Sequence, residues 1–189
     1  MTDNEEKNID VQIIGTIFSG IGNYGDFDKM IKSGKHNDAI FIYNDNEEEY
    51  YNKSSRKGAG NAIIRKYNQF SKYSDNPMSV GIPTGTLEFG GYTNLNDENK
   101  IIIDDCILNL IKIIKTYKKT KIFYSAKNHT GILGTGIFKV SEDVLKYITN
   151  QIFDLTSKEI LIIKSIKNDS FKEQEQEQEQ EQEQEQEQE

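Results

Sequence analysis

Residues 121–138 read KIFYSAKNHTGILGTGIF, and the order of residue types in this stretch decides the architecture. The run KIFYS is short, β-branched and aromatic, as a buried strand is. Three glycines follow, Gly131, Gly134 and Gly136. Ser141 then stands where it can cap a helix carrying Val144, Leu145, Ile148 and Ile152 at three- and four-residue steps. A strand that passes through a glycine loop into a helix is the unit from which parallel sheets are built.

The unit recurs upstream. VQIIGTIF (11–18) is an apolar run ending in a glycine cluster, and Asp26 can cap a short helix to about residue 33 with Phe27, Met30 and Ile31 inward. DAIFIY (38–43) reads as a second strand and the polar, acidic segment 44–57 as a loop. Residues 58–70 space Ala62, Ile63, Tyr67 and Phe70 as one face of a helix. A short strand at 79–82 leads into a glycine-rich loop, 83–96. The clearest helix spans about 97–118, with Ile103, Cys106, Ile107, Leu110, Ile114 and Tyr117 on its inner stripe. Lys112, Lys115 and Lys118 complement the dipole at its far end. EILIIKSI (159–166) fits strand or helix equally. The expected fold is a three-layer α/β/α domain over 11–167 with a mostly parallel or mixed central sheet.

Composition narrows the function. The chain carries a net charge of −8, but residues 173–189 alternate Glu and Gln and hold nine of its 31 acidic residues. Without those nine, 23 basic residues face 22 acidic ones, so the domain is close to neutral and has no electrostatic footprint for duplex nucleic acid. Residues 168–189 have the composition of a disordered or fraying tail, and 1–10 that of a disordered N-terminus. No run approaches the roughly 18 apolar residues of a membrane span. The acidic MTDNEEKNID does not read as a leader peptide, and the lone Cys106 cannot form an internal disulfide. A cytoplasmic location is expected, with nuclear entry left open. Two scattered histidines and one cysteine give no metal-ligand spacing, and neither metal nor cofactor is expected.

Glycine clusters follow four candidate strands, at 20–25, 58–60, 85–91 and 131–136. Glycine lets backbone amides approach phosphate oxygens closely, so the four together point to a phosphate-bearing small molecule at the carboxyl edge of the sheet. One reading uses Gly20, Gly22 and Gly25, a literal G-x-G-x-x-G after a strand, with Asp45 twenty residues on as a ribose-binding carboxylate. That is a Rossmann-like site for NAD. Asp26 and Asp28 oppose it, because they place negative charge where the pyrophosphate should lie. In another, the glycines serve only turns and the protein is an interaction or scaffold domain.

The remaining reading rests on order. A strand ends in Asn44-Asp45-Asn46, and Gly58-Ala-Gly-Asn-Ala-Ile63 opens a helix. Pro83-Thr-Gly-Thr-Leu-Glu-Phe-Gly-Gly-Tyr92 comes next, and Leu133-Gly-Thr-Gly-Ile-Phe138 follows the strand KIFYS. Over about 38–152 this order resembles the macro domain family, whose members bind ADP-ribose. The acidic insertion Glu47–Glu49 departs from the family's asparagine strand. The resemblance implies that Asn44 or Asn46 faces the distal ribose, with Gly58, Gly60 and Asn61 against that ribose and the pyrophosphate. Gly131, Gly134, Thr135 and Gly136 would wrap the diphosphate, with Phe138 near the ribose. It further implies an ADP-ribosylated protein as a partner, and Asn46 with Asp45 as groups able to orient a water for hydrolysis of an ADP-ribosyl bond.

Overall fold

Ala39–Asp45 (β2) is buried along nearly its whole length, because it lies inside the sheet with side chains covered on both faces. The computed structural model describes residues 11–136 and 138–156. The assignments for 1–10, the apolar run 159–166 and the Glu/Gln tail lie outside the described residues. Four strands, Gln12–Thr16 (β1), Lys121–Ser125 (β6), β2 and Ser79–Pro83 (β3), run in the order β1-β6-β2-β3 with every pairing parallel. All carboxyl ends therefore meet at one edge. This is an α/β fold.

The alternation of side chains along each strand divides the core in two. Ile13, Ile40, Ile42, Val80, Ile82, Ile122 and Tyr124 pack on one face beneath Asp97–Tyr117 (α3) and Glu142–Phe153 (α4). Ile14, Ala39, Phe41, Tyr43 and Phe123 pack on the other, beneath Phe27–Lys32 (α1) and a 3-10 helix, Gly60–Tyr67. Cys106 is fully buried on the inner stripe of α3. α3 starts with a reciprocal capping box between Asn96 and Asn99 and stops at Lys118, whose φ of 51° cannot continue a right-handed helix.

Two segments differ from expectation. The segment at 44–57 contains a short helix, Glu47–Tyr51 (α2), because the Asn46 side chain accepts a bond from the Glu49 amide and caps it. The helix expected over 58–70 is a 3-10 helix confined to Gly60–Tyr67. Its buried residues fall at 62 and 65 and at 64 and 67, steps of three that suit three residues per turn. Ile64 and Arg65 therefore face inward, whereas Phe70 is exposed. Within 83–96 the chain forms a small antiparallel ladder, Gly85–Thr86 (β4) with Gly90–Gly91 (β5).

Candidate functional site

The carboxyl ends of β2 and β3, the segment before the 3-10 helix and the loop after β6 enclose a cleft of about 650 Å³. That is within the range of small-molecule sites, roughly 300–1,000 Å³. The helix-leading bend and the loop after β6 meet across it: a side chain built at Gly136 would come within 4.0 Å of the Asn61 side chain. Among the described residues, no bond takes up the amides of Thr135 and Gly136.

Asn44, half-buried one residue before the end of β2, lines this cleft. Its Nδ2 donates to the Gly134 carbonyl at 2.7 Å, which fixes the amide's orientation. Its Oδ1 is buried and unpartnered, as are Thr84 Oγ1 and Glu49 Oε2. Five buried side-chain polar atoms lack a partner among the described residues, and these three line one cleft. Buried polar atoms are normally satisfied, and each one left bare costs about 1–3 kcal/mol. All three belong to side chains of one cavity wall, which leaves that wall with hydrogen-bonding capacity the described residues do not use.

α2 is held by a separate partner for each of its glutamates. Glu47 accepts from the Tyr92 hydroxyl at 2.7 Å, and Glu48 accepts from the Leu87 amide at 3.0 Å. Glu49 pairs through Oε1 with Arg56. The acidic insertion thus ties the β4–β5 segment to the end of β2 and turns Glu49 into the cleft. The Ser54 hydroxyl and the Arg65 and Arg56 guanidiniums hold the Glu49 carboxyl below the usual carboxylate range, against the opposing effect of burial.

Asp45 has a different place. Only 3% exposed, it accepts from Arg65 Nε at 3.1 Å, from Arg65 Nη2, and from the Asn46 amide at 2.9 Å. Its carboxylate is committed to a buried ion pair under the cleft. Gly81 in β3 makes room for it, since a Cβ there would lie 2.6 Å from Asp45 Oδ2.

Of the residues expected at the site, Asn44, Asp45, Asn46, Gly58, Asn61, Thr135, Gly136 and Phe138 line the cleft. Gly60, Gly131 and Gly134 do not, although Gly134 reaches it through Asn44. Gly131 makes a turn, with φ of 75° and its carbonyl bonded to the Tyr124 hydroxyl. Gly58 is required by its own helix: its amide donates to the Ala62 carbonyl, and a Cβ would strike Ala62 at 2.6 Å. The glycines at 85–91 serve close backbone packing, a Cβ at Gly85 falling 2.0 Å from the Gly90 carbonyl oxygen. Two of the four clusters therefore shape the cleft. Gly20, Gly22 and Gly25 lie outside it. There the Gly22 amide is taken by Asp26 Oδ2 at 2.8 Å, and Asp26 Oδ1 caps α1, which has only six residues.

The order of motifs did not reveal Glu49, Arg56, Lys57, Arg65 and Thr84, all of which line the cleft. Arg56-Lys57 directly before Gly58 was the available signal. Lys57 is exposed at the rim and makes no ion pair among the described residues. Among the described residues no three His, Cys, Asp or Glu side chains gather to hold a metal ion.

The fold is that of an α/β protein with a cleft of small-molecule size at the carboxyl edge of a parallel sheet. No family model matches the chain, and no solved structure does. Forty-four residues are 43% identical to glucosamine-6-phosphate deaminase from two strains of Borreliella burgdorferi, covering 23% of this chain and 16% of that protein. The chain thus spans about a sixth of the length of the deaminases it matches.

Proposed function

We propose that the cleft binds ADP-ribose or an ADP-ribosyl derivative, free or carried on a protein. The observation that supports this reading is the polarity of the cleft wall. Asn44 Oδ1 and Glu49 Oε2 are unpartnered acceptors, and the unpartnered Thr84 hydroxyl can accept or donate. Phosphate oxygens offer no hydrogen-bond donor at neutral pH, and sugar hydroxyls offer several. In the same cleft, the amides of Thr135 and Gly136 and the Lys57 ammonium suit phosphate. The ligand therefore carries hydroxyls at one end and phosphate next to them, and the macro-like order of motifs extends that to a ribose linked through a diphosphate to adenosine. Hydrolysis of the bond between that ribose and a carrier needs a water held beside the ribose, and the same acceptors can hold one.

A thermal-shift screen of the full chain with ADP-ribose, ADP, NAD and glucosamine 6-phosphate tests the reading. A ligand at 100 times its dissociation constant stabilises by about 2.7 kcal/mol. ADP-ribose is expected to stabilise and ADP to do so less. Thr84→Val, which removes a hydroxyl at constant shape, is expected to weaken ADP-ribose by up to about tenfold. Stabilisation by glucosamine 6-phosphate alone would move the ligand to phosphorylated amino sugars, the substrate class in the name of the partly matching deaminase. Stabilisation by NAD alone would favour a dinucleotide site. Silence from all four would leave an interaction domain.

A further inference from the structure

We infer that Lys57 is the residue by which this cleft selects phosphate-bearing ligands over uncharged ones: it carries the single uncompensated charge of the cleft wall. The inference rests on the ligand class proposed above and names what in the wall selects for it. Five charged side chains line the cleft, Asp45, Glu49, Arg56, Lys57 and Arg65. Four of them cancel in pairs. Arg65 binds Asp45 inside the fold, where both are almost completely buried. Arg56 binds Glu49 at the wall. The Glu49 carboxyl, held below the usual range chiefly by the Ser54 hydroxyl, stays ionised at neutral pH, so this second pair persists. Lys57 is left over, with no ion pair among the described residues.

The main chain that carries this cation is anchored on both sides. Before it, Arg56 is tied by its guanidinium to Glu49 and by its amide to Ser54 Oγ at 3.3 Å. After it, the Gly58 amide donates to the Ala62 carbonyl at 2.9 Å. The exposed ammonium therefore swings on its own stem from a fixed point of the wall. The 3-10 helix that follows receives no side-chain cap from Ala59. Its first bond back runs from the Ala62 amide to the Ala59 carbonyl at 3.1 Å, which leaves the Gly60 and Asn61 amides without an intrahelical partner. Amides of this kind orient an anion but carry no net charge, and Lys57 supplies the charge beside them.

The consequence is a difference between ligands. With Lys57 in place, an entering phosphate meets three cations and two carboxylates. Without Lys57 it meets a wall of no net charge that still holds both carboxylates. An uncharged nucleoside is indifferent to the change. An ammonium is a rotatable point charge with no fixed fork geometry, so the requirement at position 57 is for positive charge more than for shape. Because the group is exposed, its attraction is also open to screening by salt.

The test uses the full chain in a calorimeter with ADP-ribose, inorganic diphosphate and adenosine as probes, at low salt and at about 0.5 M salt. Lys57→Met is expected to weaken ADP-ribose about tenfold at low salt, the scale of one hydrogen bond to a charged group. The deficit should shrink at high salt. Lys57→Glu is expected to weaken ADP-ribose further, and Lys57→Arg to restore it to within about threefold of wild type. Adenosine is expected to bind wild type and Lys57→Met equally, or neither. Inorganic diphosphate should displace ADP-ribose from wild type. Unchanged ADP-ribose affinity in Lys57→Met at low salt, an equal loss for adenosine, or no recovery in Lys57→Arg overturns the role of Lys57 and leaves the ligand reading standing. Diphosphate binding that needs Lys57, with no preference for ADP-ribose over diphosphate, upholds Lys57 and overturns the ADP-ribose reading. No binding of either phosphate compound by wild type overturns both.

Discussion

Arg65→Met should be among the most damaging single changes in the cleft, although Arg65 lies beneath it. In the native protein Arg65 Nε lies 3.1 and 3.3 Å from the two Asp45 carboxylate oxygens, and Nη2 adds a further bond to Oδ1. Both side chains are almost completely buried, at 6% and 2% exposure. Met fills similar space but leaves Asp45 with the Asn46 amide and the Tyr43 hydroxyl as its remaining partners. Removing one member of a buried ion pair costs about 3–5 kcal/mol, because the other charge stays desolvated. For a chain of this size that is a fall in Tm of about 6–20 °C. The double variant Asp45→Leu/Arg65→Met removes both charges, and its loss should be smaller than the sum of the single losses by up to about 3 kcal/mol. Urea unfolding at pH 7, followed by circular dichroism and extrapolated linearly, measures all of these. A single-variant cost below about 1 kcal/mol, or simple additivity in the double variant, would refute the argument that this pair holds the floor of the cleft. The effect should also reach the ligand, since Gly58 packs so tightly that a Cβ there would lie 3.0 Å from Arg65 Nη1.

Two further outcomes follow from neighbouring chemistry. Asn46→Ala removes the α2 cap and should cost about 1 kcal/mol, whereas Asn46→Asp keeps an acceptor for the Glu49 amide and should stay within about 0.5 kcal/mol of wild type. Loss of ADP-ribose affinity in Asn46→Asp, measured by calorimetry, then reports the missing amide donors and not a loosened helix. Lys119, buried at the opposite edge of the sheet against the Asn37 carbonyl and Asn76 Oδ1, has its pKa pushed down by burial to about 8. A cation whose folded-state pKa lies below its unfolded one opposes folding while charged. Stability should therefore rise as pH climbs from 8 toward 10, and Lys119→Met should flatten that rise in urea midpoints taken across the window.

The strands and the long helices were legible because each carries a strong periodic signal of its own. The apolar stripe of α3 placed that helix at about 97–118, and it occupies Asp97–Tyr117. The run KIFYS coincides with β6. Both patterns are dictated by what must be buried on one or two faces, and no distant residue can alter them. α2 carries no such signal. Its five residues include three glutamates, none of its residues is buried, and it owes its shape to a cap and to the partners that take up each carboxylate. The segment before Phe70 was legible as helical, but a 3.6-residue period set the wrong residues inward. Steps of three bury Arg65, and a charged residue is placed inside only when a counter-charge waits there. Asp45, twenty positions earlier on another element, is that counter-charge.

The same reasoning explains why part of the site was visible in the sequence and part was not. Asn44, Asn61, Thr135 and Gly136 could be named because strand ends and glycine bends lie where local patterns put them, and parallel topology brings those ends to one edge. Whether a particular glycine then faces a ligand is a separate question that local pattern cannot answer. Gly58, Gly85 and Gly91 are demanded by close approach of backbone or side chains, with clash distances from 2.0 to 2.6 Å. A glycine needed for packing and a glycine needed for a phosphate look identical in one sequence. Carboxylates present the converse case. Asp45 stood beside Asn46 as a candidate for orienting a water, but two acids on so short a segment compete for the cations near them. Arg65 binds the one inside the fold most closely, leaving Glu49 to Arg56 and the Ser54 hydroxyl at the wall. The division of labour between the two acids depends on which guanidinium is buried, and only the three-dimensional arrangement reveals it.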